Sequence, residues 1–319
     1  MEEALKSNNT KAFDKNHLTF NHKKLNAKYG CSVLFDDGKS KNEIRYKLDI
    51  TFTGNIENKI KTFRITRGDK IYINDIIQNN FIDKLAIETS KCLYPLHIKT
   101  NRKGKLIEIL NFDEIINRWE QIKKKIKENY KSKLTDNYIK ATEKSLVDKK
   151  ILLDKISKDW FLNLYFSEIY KFYSQDLYIN ENLKYPILGD VKPVEYKVIS
   201  KVQLNEDTKD IRLDISGIID DDRSALDLVQ KLDTPYYKEL NKNEKSMEGS
   251  CNLIYLFEGK TGVIEAIEAN FETKTSVPNK VLVKMFLLKK TNSTSTFTIE
   301  DDEVKRENKK GFWSKIFKK

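Results

Sequence analysis

The sequence predicts an α+β protein: a curved antiparallel β-sheet, half-barrel-like, built in two repeats with helices inserted between them. Three observations predict it. Residues 43–53, EIRYKLDITFT, and 194–204, VEYKVISKVQL, alternate apolar and polar side chains with period two, the mark of a half-buried strand. Much of 113–173 instead repeats apolar residues at helical spacing. Finally, one plan occurs twice, at 43–110 and 194–272: a strand pair, a helical element, then a hairpin with a Gly/Lys turn.

The elements follow in order. Residues 1–28 read as an N-terminal arm. The first sheet repeat with its three-helix insertion covers 29–180, the second repeat 181–290, and a linker and tail 291–319. YGCSVLFDD at 29–37 reads as a strand ending in the turn Asp36-Asp37-Gly38. Ile44, Tyr46, Leu48, Ile50 and Phe52 then share one strand face, and 59–66 returns antiparallel. Residues 75–93 read as a helix with Asn74 as N-cap and Pro95 limiting its end. A hairpin follows around Asn101-Arg102-Lys103-Gly104, where Gly104 supplies a positive φ.

Asn111 and Glu114 have capping-box spacing, with Leu110 and Ile115 placed as a staple. The helix behind them carries an apolar stripe through Trp119 and Ile126 and a basic face of Lys123, Lys124, Lys125 and Lys127. Further helices are expected from about Thr135 and from about Asp148 to Tyr173. Residues 180–193, with Pro186, Gly189 and Pro193, read as a connector. Strands are expected at 194–204, 210–219, 252–258, 263–273 and 280–289, with a short helix at 223–232 and a polar loop at 233–249.

Composition narrows the function classes. The net charge is +11, from 59 basic and 48 acidic residues spread along the whole chain. Such mixing serves solubility more than a nucleic-acid surface, so nucleic acid is not an expected partner. Cys31, Cys92 and Cys251 are widely separated and lack metal-ligand spacing, which fits a reduced, intracellular protein. His17, His22 and Cys31 lack a fourth zinc ligand. The start MEEALKSNNTKAF has no apolar leader core, and no stretch approaches the roughly 20 apolar residues of a membrane span. The expectation is a cytoplasmic protein, at most peripheral to the inner face of the membrane, with no cofactor and no metal.

The basic turn in KTNRKGK invites a phosphate-loop reading. Its counterpart in the second repeat, FEGKTG, carries an acid instead, so both are read as hairpin tips. Asp220, Asp221 and Asp222 lie upstream of Glu258 and Lys260. That order suggests an alternative, a metal-dependent nucleic-acid-processing enzyme in which carboxylates hold the ion and the lysine positions water. The simpler reading gives the acidic run to the positive end of the next helix. Trp160, Phe161, Leu164, Tyr165 and Phe172 form an aromatic stripe that either lines an apolar ligand groove or belongs to the core.

The tail KKGFWSKIFKK places Phe312, Trp313, Ile316 and Phe317 on one helical face, surrounded by Lys309, Lys310, Lys315, Lys318 and Lys319. This pattern suits an anionic membrane surface or a groove on a protein partner.

The order of elements over 29–290, with the segment YPILGDV at Tyr185–Val191 before a new strand pair, is similar to the half-barrels of the bacterial lipoprotein-carrier type. The resemblance implies an antiparallel sheet wrapped around helices and an apolar cavity. The absent leader departs from that type. The expected function is a non-enzymatic binding or scaffold protein that holds an apolar ligand or protein segment, its tail docking to membrane or partner. A structural subunit of a bacterial assembly is the other alternative.

Overall fold

The structure, a computed structural model, describes residues 12–21, 25–56, 60–77, 81–189, 191–205, 207, 210–274 and 279–290. The linker and the basic-aromatic tail, with every residue named there, lie outside the described residues, as does His22.

The chain runs β1 (Phe13–Asp14), β2 (His17–Leu18), β3 (Asn26–Asp36), β4 (Lys41–Ile56), β5 (Ile60–Arg67), β6 (Tyr72–Ile73), β7 (Ile76–Ile77), α1 (Phe81–Ser90), β8 (Leu96–Thr100), β9 (Leu106–Ile109), α2 (Phe112–Asn129), α3 (Lys133–Ser145), α4 (Lys149–Ile156) and α5 (Trp160–Tyr165). It continues with β10 (Tyr178–Tyr185), β11 (Val194–Leu204), β12 (Ile211–Ile219), α6 (Ala225–Val229), α7 (Tyr236–Leu240), β13 (Glu248–Phe257), β14 (Ile264–Lys274) and β15 (Lys280–Lys290). The main sheet is antiparallel and ordered β10-β11-β12-β13-β14-β15-β3-β4-β5-β8-β9. It is open, ending at β10 and β9. The last strand, β15, pairs with the first long strand, β3, so the two halves of the chain join in mid-sheet.

Period two sets the layers. Along β11, Val194, Tyr196, Val198, Ser200 and Val202 are buried while the residues between them face outward. The buried faces of β3, β5, β13 and β14 meet the α5 segment. Tyr255 of β13 donates its hydroxyl to Leu164 O at 3.1 Å. Phe63 of β5 meets Phe166, the C-cap of α5, with ring centroids 5.3 Å apart. In a flat sheet β13 and β5 would be about 24 Å apart, whereas a helix is about 10 Å wide. The sheet therefore curls around α5.

Several local expectations are corrected. The helix expected over 75–93 does not start at Asp75, because Asn74 and Asp75 take positive φ (52° and 68°) and turn β6 into β7; they are hairpin-turn residues, not an N-cap, and the described helix is Phe81–Ser90. The expected helix over 148–173 breaks after Ile156, and α5 restarts with Asp159 Oδ1 accepting from Leu162 N–H at 2.9 Å. Beyond Tyr165 the backbone bonds elsewhere: Tyr170 N–H is donated to Lys103 O at 3.0 Å. Asn111 begins α2 but makes no capping box. Its amide accepts from His97 N–H and donates to Pro95 O, both at 2.9 Å. The expected connector contains β10, and the expected polar loop contains α7. The arm expected over 1–28 is packed where it is described, with Ala12, Leu18 and Phe20 buried.

Candidate functional site: the hollow of the sheet

The five residues expected to line an apolar groove do not share one fate. Trp160, Phe161, Leu164 and Tyr165 are buried core, whereas Phe172 is 55% exposed at the rim, bridged to His17. Trp160 lies 5.0 Å from the Phe271 ring, and Phe161 stacks on Tyr165 at 5.3 Å. The short helix thus fills the hollow itself. Its aromatic density matters here, since a six-residue helix touching so many strands needs large side chains to reach them.

Three tyrosine hydroxyls close to α5 are bonded internally, whereas the buried Tyr196 hydroxyl on β11 has no hydrogen-bond partner among the described residues. Tyr29 donates to Ile264 O at 2.7 Å, Tyr165 to Tyr29 Oη at 3.1 Å, and Tyr173 to Ile169 O at 3.0 Å. Burial raises all three phenols above their ordinary pKa, so they stay neutral.

Both hairpin tips close on the same residue. Tyr170 receives Gly104 against its ring and donates its hydroxyl to Gly262 O at 2.9 Å. Around Gly262 the N-terminal segment adds two bonds, Ala12 N–H to Gly259 O at 3.0 Å and Asn21 N–H to Thr261 O at 2.8 Å. The tips are clasped against the 166–173 segment, which agrees with reading them as turns rather than phosphate loops. Beside them lies a cavity of about 10 Å³, lined by Phe20, Lys61, Phe63, Tyr165 and Tyr170. It has room for about one water. Burial lowers the Lys61 pKa, and its ammonium sits 5.6 Å over the Phe20 ring.

A second titratable cluster lies at the start of α5. Burial raises the Asp159 carboxyl, against the opposing pull of the Leu162 and Phe161 amides and of Arg67. Arg67 stands 4.9 Å over the Tyr94 ring and donates to Ser90 Oγ at 2.6 Å. Burial also raises the Cys31 thiol, with Asp159 adding to the effect, which disfavours a reactive thiolate.

The alternative enzymatic constellation is not assembled. Ile211 pairs with Phe257, so Glu258 and Lys260 sit at one end of β12 while Asp220, Asp221 and Asp222 follow its other end. The intervening strand puts about 30 Å between them, too far to share one metal ion. Asp221 is committed elsewhere: it accepts from Arg223 Nε at 2.7 Å and Nη2 at 2.8 Å, and from Glu195 N–H at 2.9 Å. Burial pushes its carboxyl up, but these donors outweigh burial and hold it below the usual range. Glu258 accepts from the Thr261 hydroxyl within its own turn. The acidic run does not cap α6 either. Ser224 does that, in a capping box with Asp227. On α2, Lys123 is paired with Glu120 (2.7 Å) and Glu143 (3.1 Å), which draws it out of the basic face.

Sequence reasoning missed Tyr170, Asp159 and β10. The signal for β10 is present, since Ile179, Leu183 and Tyr185 alternate with Asn180, Asn182 and Lys184. Tyr170 had none, because its role depends on two tips distant in sequence.

Among the described residues no group of His, Cys, Asp and Glu is gathered as for a metal ion, and no helix is long and apolar enough to cross a membrane. No protein-family model matches the chain, and no curated protein matches it in sequence.

Proposed function

We propose that this protein is a non-enzymatic scaffold that docks through its C-terminal segment to an anionic membrane surface and works by presenting its sheet to partners. The observation that carries the reading is the filled hollow. Residues 160–170 occupy the space in which a half-barrel of the lipoprotein-carrier type would take an apolar ligand, and the cavity beside them measures about 10 Å³. Binding is thereby moved from the inside of the sheet to its outside and edges. The two chain halves, each a meander interrupted by a helical segment, support a two-pass, repeat-like construction. The tail supports membrane docking by composition: five lysines flank Phe312, Trp313, Ile316 and Phe317, and each basic residue near an anionic surface is worth about 1 kcal/mol.

Flotation with anionic and neutral liposomes tests the proposal, comparing the full chain with one ending at Asn308. The expected result is salt-sensitive binding to anionic vesicles that is lost on truncation. Equal binding by both chains, or none by either, overturns the membrane part and leaves a protein groove as the target of the tail.

A further inference from the structure

The two edges of the sheet differ in how the chain treats them. At β9 the chain covers itself. Leu106 N–H is donated to Phe166 O at 3.2 Å, and α4 packs alongside with Lys149 Nζ 2.6 Å from Glu108 Oε1. Hydrogen-bond parity shows what is left open at β10. Val202 N–H is donated to Leu177 O at 2.8 Å and Asp220 N–H to Glu195 O at 3.0 Å. Bonded residues alternate along an antiparallel ladder. Ile179, Glu181, Leu183 and Tyr185 therefore bond to β11, while Tyr178, Asn180, Asn182 and Lys184 turn their N–H and C=O groups outward. Tyr178 is satisfied by Ser174, giving its N–H to Ser174 Oγ and receiving Ser174 N–H, both at 3.3 Å. Asn180, Asn182 and Lys184 have no backbone hydrogen bond on that side among the described residues.

We infer that β10 pairs antiparallel with β10 of a second copy of this chain, about a two-fold axis at Asn182. In this register Asn182 faces Asn182 of the second copy and Asn180 faces its Lys184, so all three outward residues are bonded in both copies. On the inner face Glu181 falls beside the second copy's Leu183, and Ile179 beside its Tyr185. Glu181 stays compensated by Lys171 and by Ser200 Oγ at 2.7 Å. The neighbouring registers fail. Centring on Glu181 opposes like charges and calls on Tyr178, which Ser174 already holds. Centring on Leu183 sets Asn180 against Pro186, which has no N–H. Because β9 is covered, association stops at a closed pair instead of running on as a continuous sheet.

The mass in solution tests this, by sedimentation equilibrium on the full chain. Twice the 37.5 kDa chain mass is expected. Asn182→Pro removes one outward N–H and leaves the backbone ladder to β11 whole, losing on that side only the exposed Asn182 Nδ2 bond to Glu195 Oε1 at 2.8 Å, so it should give a monomer with an unchanged circular dichroism spectrum. Cysteine pairs read the register and keep the test valid if the proline variant misfolds. Residues opposed in a bonded pair have Cα atoms about 5.5 Å apart, within disulfide range. Asn182→Cys should therefore oxidise to a cross-linked dimer, whereas Lys184→Cys, facing Asn180, should not; the native cysteines are all buried. A wild-type chain that stays at 37.5 kDa at every concentration overturns the inference. So does a well-folded Asn182→Pro dimer, or equal cross-linking by the two cysteine variants.

Discussion

On the inner face of the sheet Tyr29, Tyr196, Leu253 and Phe271 are fully enclosed. On the outer face the same strands carry charge pairs, among them Lys284 with Glu268 at 3.6 Å and Lys280 with Glu272 at 3.6 Å. The two faces differ in what a side chain loses when it is removed. An inner aromatic gives up its whole apolar surface and leaves a void. An outer pair, in water and screened by salt, loses little. The stability of the protein thus resides with α5 and the tips that clasp it, and the outer face is free to vary or to bind.

The sharpest way to break this contrast is Phe161→Ala. It should cost about 3–5 kcal/mol in chemical denaturation, because the side chain is fully buried and stacked on Tyr165. A cost below about 1 kcal/mol would mean that α5 does not hold the hollow closed.

The clasp gives the next effect. Gly262 and Gly189 have nearly equal φ, +69° and +68°. A Cβ on Gly262 would stand 2.1 Å from Thr19 O, whereas one on Gly189 meets nothing within 4 Å. Left-handed backbone alone costs a side chain about 1–2 kcal/mol. Gly189→Ala should therefore lose about that much, and Gly262→Ala clearly more, with the N-terminal segment released. Limited proteolysis near Thr19 reads the release directly. Equal melting temperatures for the two variants would show that the tip contact does not matter.

A smaller, pH-dependent effect separates two half-buried acids. The folded pKa of Asp159 is raised above the unfolded value of about 3.9. Its contribution to stability is therefore present in full below the unfolded pKa and is lost as pH rises through the folded one. Asp159→Asn, which still caps α5, should melt higher than wild type at neutral pH, and the gain should disappear in acid. Asp221 has the opposite sign. Its folded pKa is lowered, so its contribution is present above the unfolded pKa and is lost as pH falls through the folded one. Asp221→Asn should lose stability at neutral pH, and the deficit should shrink in acid. Melting curves against pH decide both.

The outer face should give the least. Lys284→Ala is expected to change stability by no more than about 1 kcal/mol, less at high salt. A larger loss would place the outer ladder among the main supports of the fold.

What the sequence made legible follows the same division. β4, β11 and β15 could be read because one face is buried and the other wet, which leaves a period-two trace. The strand pair at 252–258 and 263–273 was visible for the same reason. The 166–173 segment was not, because its backbone bonds to Lys103 and Asn16 and in tight turns of its own rather than in a helical ladder, while its aromatics resemble a helix continuing from Trp160. Asn74 and Asp75 misled because the residues that cap helices also adopt left-handed turns. Asp220–Asp222 and Glu258 looked like partners in one dimension. Only strand register showed that they lie at opposite ends of β12.

The central claim is that the chain itself fills the hollow of its sheet. Native mass spectrometry of the protein as purified from cells tests it most directly, with the chain ending at Asn308 as the sample so that lipid held by the tail does not count. The account predicts masses equal to the polypeptide or to whole-number multiples of it. A co-purifying lipid or other apolar molecule, bound in stoichiometric amount and lost in a Leu164→Trp variant that stays folded, would contradict it and make the α5 segment a plug that yields to a ligand.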